Sequence, residues 1–242
     1  MKYISIILLV FATDTVNAQT VIIARKTKDA VYVGADSKQV VTKVVSYSDA
    51  DTSWEMTADS AVLACKIISE GKFNIAFEGW GTYESEPLTR AACQASDSFR
   101  QLMNKHADDY LPVLRDQMKM YREKFPEKFE DMTRNFHNNL ATVFFFGFEG
   151  GKPFLGINDY RMKRDSRGNL EFTAAMHELG EFAAGHTKEI IDTLYKSKTV
   201  WDRGTVRTIK YLIQLVCSKY GFAVPVIACS FSCTHRQCPY IL

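Results

Sequence analysis

The 242-residue sequence has little net charge, no phosphate-binding glycine motif, no internal repeat and, after its first dozen residues, no long apolar run. Each absence excludes something. A formal net charge of +2 provides no electrostatic case for nucleic acid or for an anionic membrane surface. Without a later apolar segment of roughly 18 to 20 residues, no span of a bilayer is expected. Six cysteines, Cys65, Cys93, Cys217, Cys229, Cys233 and Cys238, are too sparse for a disulfide-scaffold protein, and their pairing cannot be read from spacing. His106, His137, His177 and His186 show no spacing with Asp or Ser that suggests a triad, so solvated or structural roles are their default.

The first eighteen residues have the organisation of a cleaved signal peptide. Lys2 supplies the positive n-region, Ile4 to Ala12 the apolar stretch, and Val16-Asn17-Ala18 a small-residue cleavage site. Asp14 ends the apolar run well short of a membrane span. The expectation is export to a periplasmic or extracellular site. Loss of Lys2 and Asp14 leaves the charge balance unchanged. The remainder, about 220 residues, suits one compact domain. With 46% hydrophobic and 24% charged residues, a packed core is expected rather than disorder.

Along that remainder, Thr20 to Ala24 and Ala30 to Ala35 flank the polar stretch Arg25 to Asp29, which predicts a hairpin. Thr42 to Tyr47 is a further strand, and the polar, acidic Ser48 to Ser60 reads as a loop. Ala61 to Ile68 and Phe73 to Phe77 flank Glu70-Gly71-Lys72 and predict a second hairpin. The pattern then turns helical. Glu84 to His106 carries Leu88, Ala92, Ala95, Phe99 and Leu102 along one face. Tyr110 to Phe136 continues as helix, interrupted or restarted at Pro126. Strands are expected at Leu140 to Phe148, Pro153 to Ile157 and Leu170 to Ala175, helices at Thr187 to Tyr195 and Trp201 to Tyr220, and a closing strand at Ala223 to Ala228. Strands arriving as hairpins predict largely antiparallel sheets, with helices covering their outer faces.

One stretch carries a specific likeness. Thr20-Val-Ile-Ile-Ala-Arg-Lys-Thr-Lys-Asp-Ala-Val-Tyr-Val-Gly-Ala-Asp-Ser-Lys38 resembles the start of mature proteasome β-subunits, members of the N-terminal-nucleophile (Ntn) hydrolases. The family pattern is a leading Thr, a short strand, a charged turn, a second strand, then Ala-Asp-Ser and a basic residue. Cys65-Lys66-Ile67-Ile68 and Phe73-Asn-Ile-Ala-Phe-Glu-Gly-Trp80 resemble the family's Lys-Ile strand and the strand after it. The likeness is specific over Thr20 to Gly81, and beyond that it rests on element order. Ser48 to Ser60 reads as an insertion relative to the family.

The resemblance implies an α+β fold, the four-layer αββα sandwich with two mostly antiparallel sheets between helix layers. It implies hydrolysis of an amide or peptide bond by a threonine-type peptidase or amidohydrolase, with no cofactor and no metal. The roles it implies make chemical sense. A Thr hydroxyl is a poor nucleophile until a base takes its proton. A chain-terminal α-amine titrates at roughly 7.7 to 8.0, so at Thr20 nucleophile and base would share one residue. Lys66 would push that amine toward its neutral form, Asp36 would hold Lys66 charged, and the Gly79 N–H would face the oxyanion. The partners implied are a peptide or small-amide substrate, with a homo-oligomer left open and neither nucleic acid nor a membrane span after processing.

The cleavage site at Val16-Asn17-Ala18 predicts a cut before Gln19, so exposing Thr20 requires one further bond to break. The chain thus divides into residues 1–19, removed before the nucleophile, a domain over 20–228, and a Cys-rich tail over 229–242. In the tail, Cys229, Cys233, His235 and Cys238 have a spacing that a disulfide, a zinc ion or an unspecialised terminus would fit. Two alternatives to a protease stay open here: a noncatalytic proteasome-like binding or structural module, and an amidase for small amides.

Overall fold

The computed structural model describes residues 21–36, 38–46, 54–63, 67–79, 85–135, 139–184, 196–219, 226–232 and 235–241. The architecture is mixed α+β with antiparallel strand pairing throughout. The first hairpin joins β1 (Ile22–Lys26) to β2 (Ala30–Asp36). Its turn is tied by Thr27, whose amide donates to the Ala30 carbonyl at 2.8 Å and whose Oγ1 accepts from the Ala30 amide at 3.1 Å. A ribbon follows, β3 (Lys38–Ser46) and β4 (Trp54–Leu63), paired with each other as a separate two-stranded sheet. Then come β5 (Ile67–Glu70), β6 (Phe73–Gly79), α1 (Ser85–Gln94), α2 (Phe99–Lys124) and α3 (Pro126–Asn135). After them run β7 (Asn139–Glu149), β8 (Lys152–Arg164), β9 (Leu170–Glu178) and β10 (Glu181–Ala184). A 3-10 turn (Lys198–Arg203) leads into α4 (Thr205–Lys219), and β11 (Val226–Ser232) and β12 (His235–Ile241) close the chain.

The described strands form two five-stranded sheets beside the ribbon. The first has the order β10-β1-β2-β11-β12, the second β5-β6-β7-β8-β9. Alternation of side chains across each strand divides the core into separate clusters. Ile22, Ala24, Val31, Val33 and Ala35 of the first sheet bury themselves against Ile67, Ala76, Phe144, Phe146, Leu155 and Ile157 of the second. The intervening positions point outward. Val21 and Ile23 pack on Ile209, Leu212, Ile213 and Val216 of α4. Phe73, Ile75, Phe77, Val143 and Phe145 pack on Ala92 and Cys93 of α1 and on Phe99, Leu102, Met103, Ala107, Tyr110 and Leu114 of α2. This is why β7 has no polar alternation over Phe144-Phe145-Phe146, all three fully buried: both faces of that strand are covered.

The structure corrects several sequence expectations. Residues 54–60, expected within a loop, lie in β4, where Trp54, Met56 and Ala58 pair with Ser46, Val44 and Thr42. Acidic residues between the apolar ones obscured a period of two. The single helix expected over Glu84 to His106 is two helices. Ser96 Oγ donates to the Ala92 carbonyl at 2.7 Å as α1 ends, and Ser98 caps α2 by accepting from the Gln101 amide at 3.1 Å. The helix expected from Trp201 begins instead at Thr205, because Gly204, at φ +86°, separates it from the 3-10 turn. The pause at Pro126 stands as expected, between α2 and α3. The helix expected at Thr187 to Tyr195 lies outside the described residues, as does the signal segment. Among the described residues no helix is long and apolar enough to cross a membrane.

Candidate active site

Of the four residues singled out by sequence, Gly79 is described in full and Asp36 through its backbone, while Thr20 and Lys66 lie outside the described residues. Asp36 ends β2 and pairs in register with Val226 of β11. Its neighbour Ala35 stands opposite Ile22, the first residue of β1. Gly79 ends β6 on the other sheet, opposite Ala141 of β7. Its φ is +107°, and a Cβ built there would stand 2.4 Å from the Leu140 carbonyl oxygen. Glycine is therefore required twice over, by backbone conformation and by the closeness of β7. Asp36 and Gly79 thus belong to facing sheets. The residues that follow Thr20 and Lys66 in sequence and precede Asp36, namely Ile22, Ile67 and Ala35, share the buried cluster between those sheets.

Beside Gly79 lies a polar row that sequence reading passed over. The register runs Glu78 to Thr142 to Asp159 across β6, β7 and β8. Alternation with Ala76, Phe144 and Ile157 sets these three on the face toward the first sheet. Thr142 and Asp159 are buried. Thr142 Oγ1 donates to Asp159 Oδ1 at 2.8 Å and accepts from Asn139 Nδ2 at 3.2 Å, while Arg161 Nη2 stands 3.4 Å from Asp159 Oδ2. Thr142 and Asp159 are thus held by hydrogen bonds next to the strand end that carries Gly79. Two signals in the sequence point to it, a Thr inside an otherwise apolar strand and an Asp one turn of alternation beyond Ile157. Ending the strand at Ile157 hid the second, since β8 continues to Arg164.

A second buried polar group sits on the opposite face of the same sheet, beneath α1 and α2. His106 is fully buried, and its hydrogen bonds define one tautomer. Asn158 Nδ2 donates to the Met103 carbonyl at 2.8 Å and to Tyr160 Oη at 3.2 Å. Tyr160, accepting there, turns its proton to His106 Nδ1 at 2.6 Å. Nδ1 is then an acceptor, so the ring proton is on Nε2 and is donated to Thr89 Oγ1 at 3.1 Å. Thr89 passes its own proton to the Ser85 carbonyl at 2.7 Å. Burial pushes His106 down to about 3 and Tyr160 well above the usual tyrosine range. Both are neutral and structural near pH 7, and neither faces the Gly79 row. Cys93 is likewise inert, with burial pushing its thiol up to about 12.

At the end of the chain, β11 pairs with β2 and β12 pairs with β11, so Cys229 stands opposite Val33 and Cys238 lies within β12. Among the described residues no group of three or more His, Cys, Asp or Glu is placed to hold a metal ion. No protein-family model matches the chain, and no curated protein matches it.

Proposed function

We propose that the chain is an exported Ntn hydrolase of the proteasome β-subunit type, cleaving an amide or peptide bond through Thr20. In this reading the packing order of helices, sheet, sheet and helix is the four-layer αββα sandwich, and the catalytic groups meet where the two sheets face each other. The observation that carries it is the shared buried cluster of Ile22, Ala35 and Ile67. These residues lie within two positions of Thr20, Asp36 and Lys66, so a single apolar interface draws the three stretches of chain together. Gly79, required as glycine at the end of β6, is the fourth part, presenting backbone rather than a side chain.

The mechanism follows from chemistry. Thr20 Oγ1 attacks the carbonyl carbon as the α-amine takes its proton, and the amine leaving group departs with that proton to leave an acyl ester. The Gly79 N–H meets the oxyanion, a contact whose loss typically costs about 3 to 4 kcal/mol of transition-state stabilisation. Water, activated by the same α-amine, then cleaves the ester. Lys66 holds the amine in its basic form and Asp36 neutralises Lys66.

N-terminal sequencing and intact mass of the exported protein test the first step: a mature chain starting at Thr20 is expected, and one starting at Gln19 sinks the mechanism. In the processed protein, Thr20→Ala should abolish turnover of a peptide and small-amide panel with the circular dichroism spectrum unchanged. Turnover retained in that variant refutes the role. A second reading, a noncatalytic binding module of the same fold, is favoured by one observation: the small-residue site at Val16-Asn17-Ala18 leaves Gln19 ahead of Thr20.

A further inference from the structure

The hydrogen-bond chain through His106 ties three elements together: α1 through Ser85 and Thr89, α2 through His106 and Met103, and β8 through Asn158 and Tyr160. We propose that this chain is an acid-sensitive latch, which releases α1 from α2 and β8 when His106 takes up a second proton.

The geometry leaves no place for that proton. Every bond in the chain has a set direction, from Asn158 through Tyr160 and His106 to Thr89 and Ser85. A proton on Nδ1 would point at the Tyr160 hydroxyl, whose own hydrogen already lies along that 2.6 Å line. The hydroxyl would have to turn away. Among the described residues, the buried acceptor nearby without a partner is Asn158 Oδ1. Presenting it to Tyr160 means rotating the amide, which takes Nδ2 away from the Met103 carbonyl. Protonation therefore breaks at least one buried bond, besides placing a charge among Phe77, Phe145 and Tyr110, whose ring centres lie 5.7, 5.4 and 5.2 Å from that of His106.

The charged and titratable groups around His106 offer little relief. Among the described residues they are Tyr160 from β8, Tyr110 and Asp109 from α2, and Cys93 from α1 in the same buried cluster; β6 and β7 present Phe77 and Phe145. Only Asp109 favours the added charge, and burial outweighs it.

The element that gives way is α1. It buries Ser85, Thr89, Ala92 and Cys93, two of them the polar end of the latch itself. Toward β5 it is tied by the Arg90–Glu70 ion pair at 2.9 Å and by Gln94 Nε2, which donates to Glu70 Oε1 at 3.4 Å, both at least partly exposed and so weak. By contrast α2 buries nine side chains, including Phe99, Leu102, Tyr110, Leu114 and Met118. Opening α1 frees His106 to titrate near its ordinary 6.5, so the opening equilibrium grows up to tenfold for each pH unit below that value.

Hydrogen exchange, read by mass spectrometry at pH 7.0 and 5.0 and corrected for intrinsic rates, tests the latch without any substrate. Its outcome is thus independent of the hydrolase reading. Protection of residues 86–94 is expected to fall roughly 25-fold between the two pH values and to lie below that of residues 143–146 of β7 at both. His106→Gln, which keeps one acceptor and one donor but does not titrate, is expected to flatten that dependence. Equal protection of α1 and β7 at both pH values, constant protection of α1, or the same pH dependence in His106→Gln would each overturn the proposal. Should His106→Gln not fold, Thr89→Val serves instead: it removes the acceptor for Nε2–H and is expected to expose α1 already at pH 7.0 while β7 stays protected. Unchanged α1 protection in that variant equally overturns the latch.

Discussion

Gly79→Ala is the sharpest test at the scale of single residues. The substituted side chain would meet the Leu140 carbonyl oxygen at 2.4 Å with the backbone at φ +107°, and neither can relax without parting β6 from β7. A loss of roughly 2 kcal/mol or more is expected in urea unfolding. By contrast Gly71→Ala, at φ +58° with open space around it, should cost only about 1 kcal/mol. Cys93 provides a chemical test. Its raised thiol and burial predict that its peptide stays unmodified by iodoacetamide at pH 8 in the folded protein and reacts fully in denaturant. At this scale the sequence was legible where a residue's role is local. The glycine at 71, at φ +58°, could be picked out from the Glu70-Gly71-Lys72 turn between two strands. The Thr142–Asp159 pair could not, because its members are joined only by the pairing of β7 with β8.

Element boundaries followed hydrogen-bonding side chains more than apolar periodicity. The helical spacing from Leu88 to Leu102 continues without a break, yet Ser96-Asp97-Ser98 stops one helix and starts another. The N-terminus of α2 is satisfied from two directions: Ser98 Oγ accepts from the Gln101 amide, and Glu149 Oε1, from the end of β7, accepts from the Phe99 amide at 3.0 Å. Ser98→Ala is expected to cost about 1 kcal/mol in thermal or urea unfolding, with Glu149 limiting the damage to one amide. Pro112 shows the opposite case. It lies inside α2 without ending it. It is exposed, as is Asp108 four residues earlier, so the carbonyl left without its amide partner is on the wet side of the helix, and the nine buried side chains hold the rest.

Across the whole molecule, acid should act on stability through His106. Its folded value, about 3, lies below the ordinary 6.5. Above pH 6.5 both folded and unfolded states are neutral and the group contributes nothing. Below it the unfolded chain gains the proton first, so up to about 1.4 kcal/mol of stability is lost per pH unit down to about pH 3. Urea midpoints for the wild type should therefore drop more steeply between pH 6.5 and 4.5 than those of His106→Gln. Core packing sets a second whole-molecule expectation. Phe144 faces the first sheet and Phe145 the helices, both fully buried. Truncation of either to Ala should cost roughly 3 to 5 kcal/mol, measured by urea unfolding, because each opens a cavity in a different interface.

Local pattern was enough to reveal an α+β chain built from hairpins. The alternation and turn chemistry of Ile22–Asp36 and Ile67–Gly79, the restart at Pro126 and the apolar run of β7 are all governed by residues within a few positions of one another. Such interactions are written along the chain. Which strands lie side by side was settled in three dimensions. The first sheet takes β1 and β2 from the start of the chain, β10 from its middle and β11 and β12 from its end, and burial between the sheets, being non-directional, leaves no mark on sequence spacing. The same holds for His106. In the sequence it is one histidine of solvated or structural default, and it becomes a latch only where Tyr160 and Thr89, brought from β8 and α1, stand at its two nitrogens.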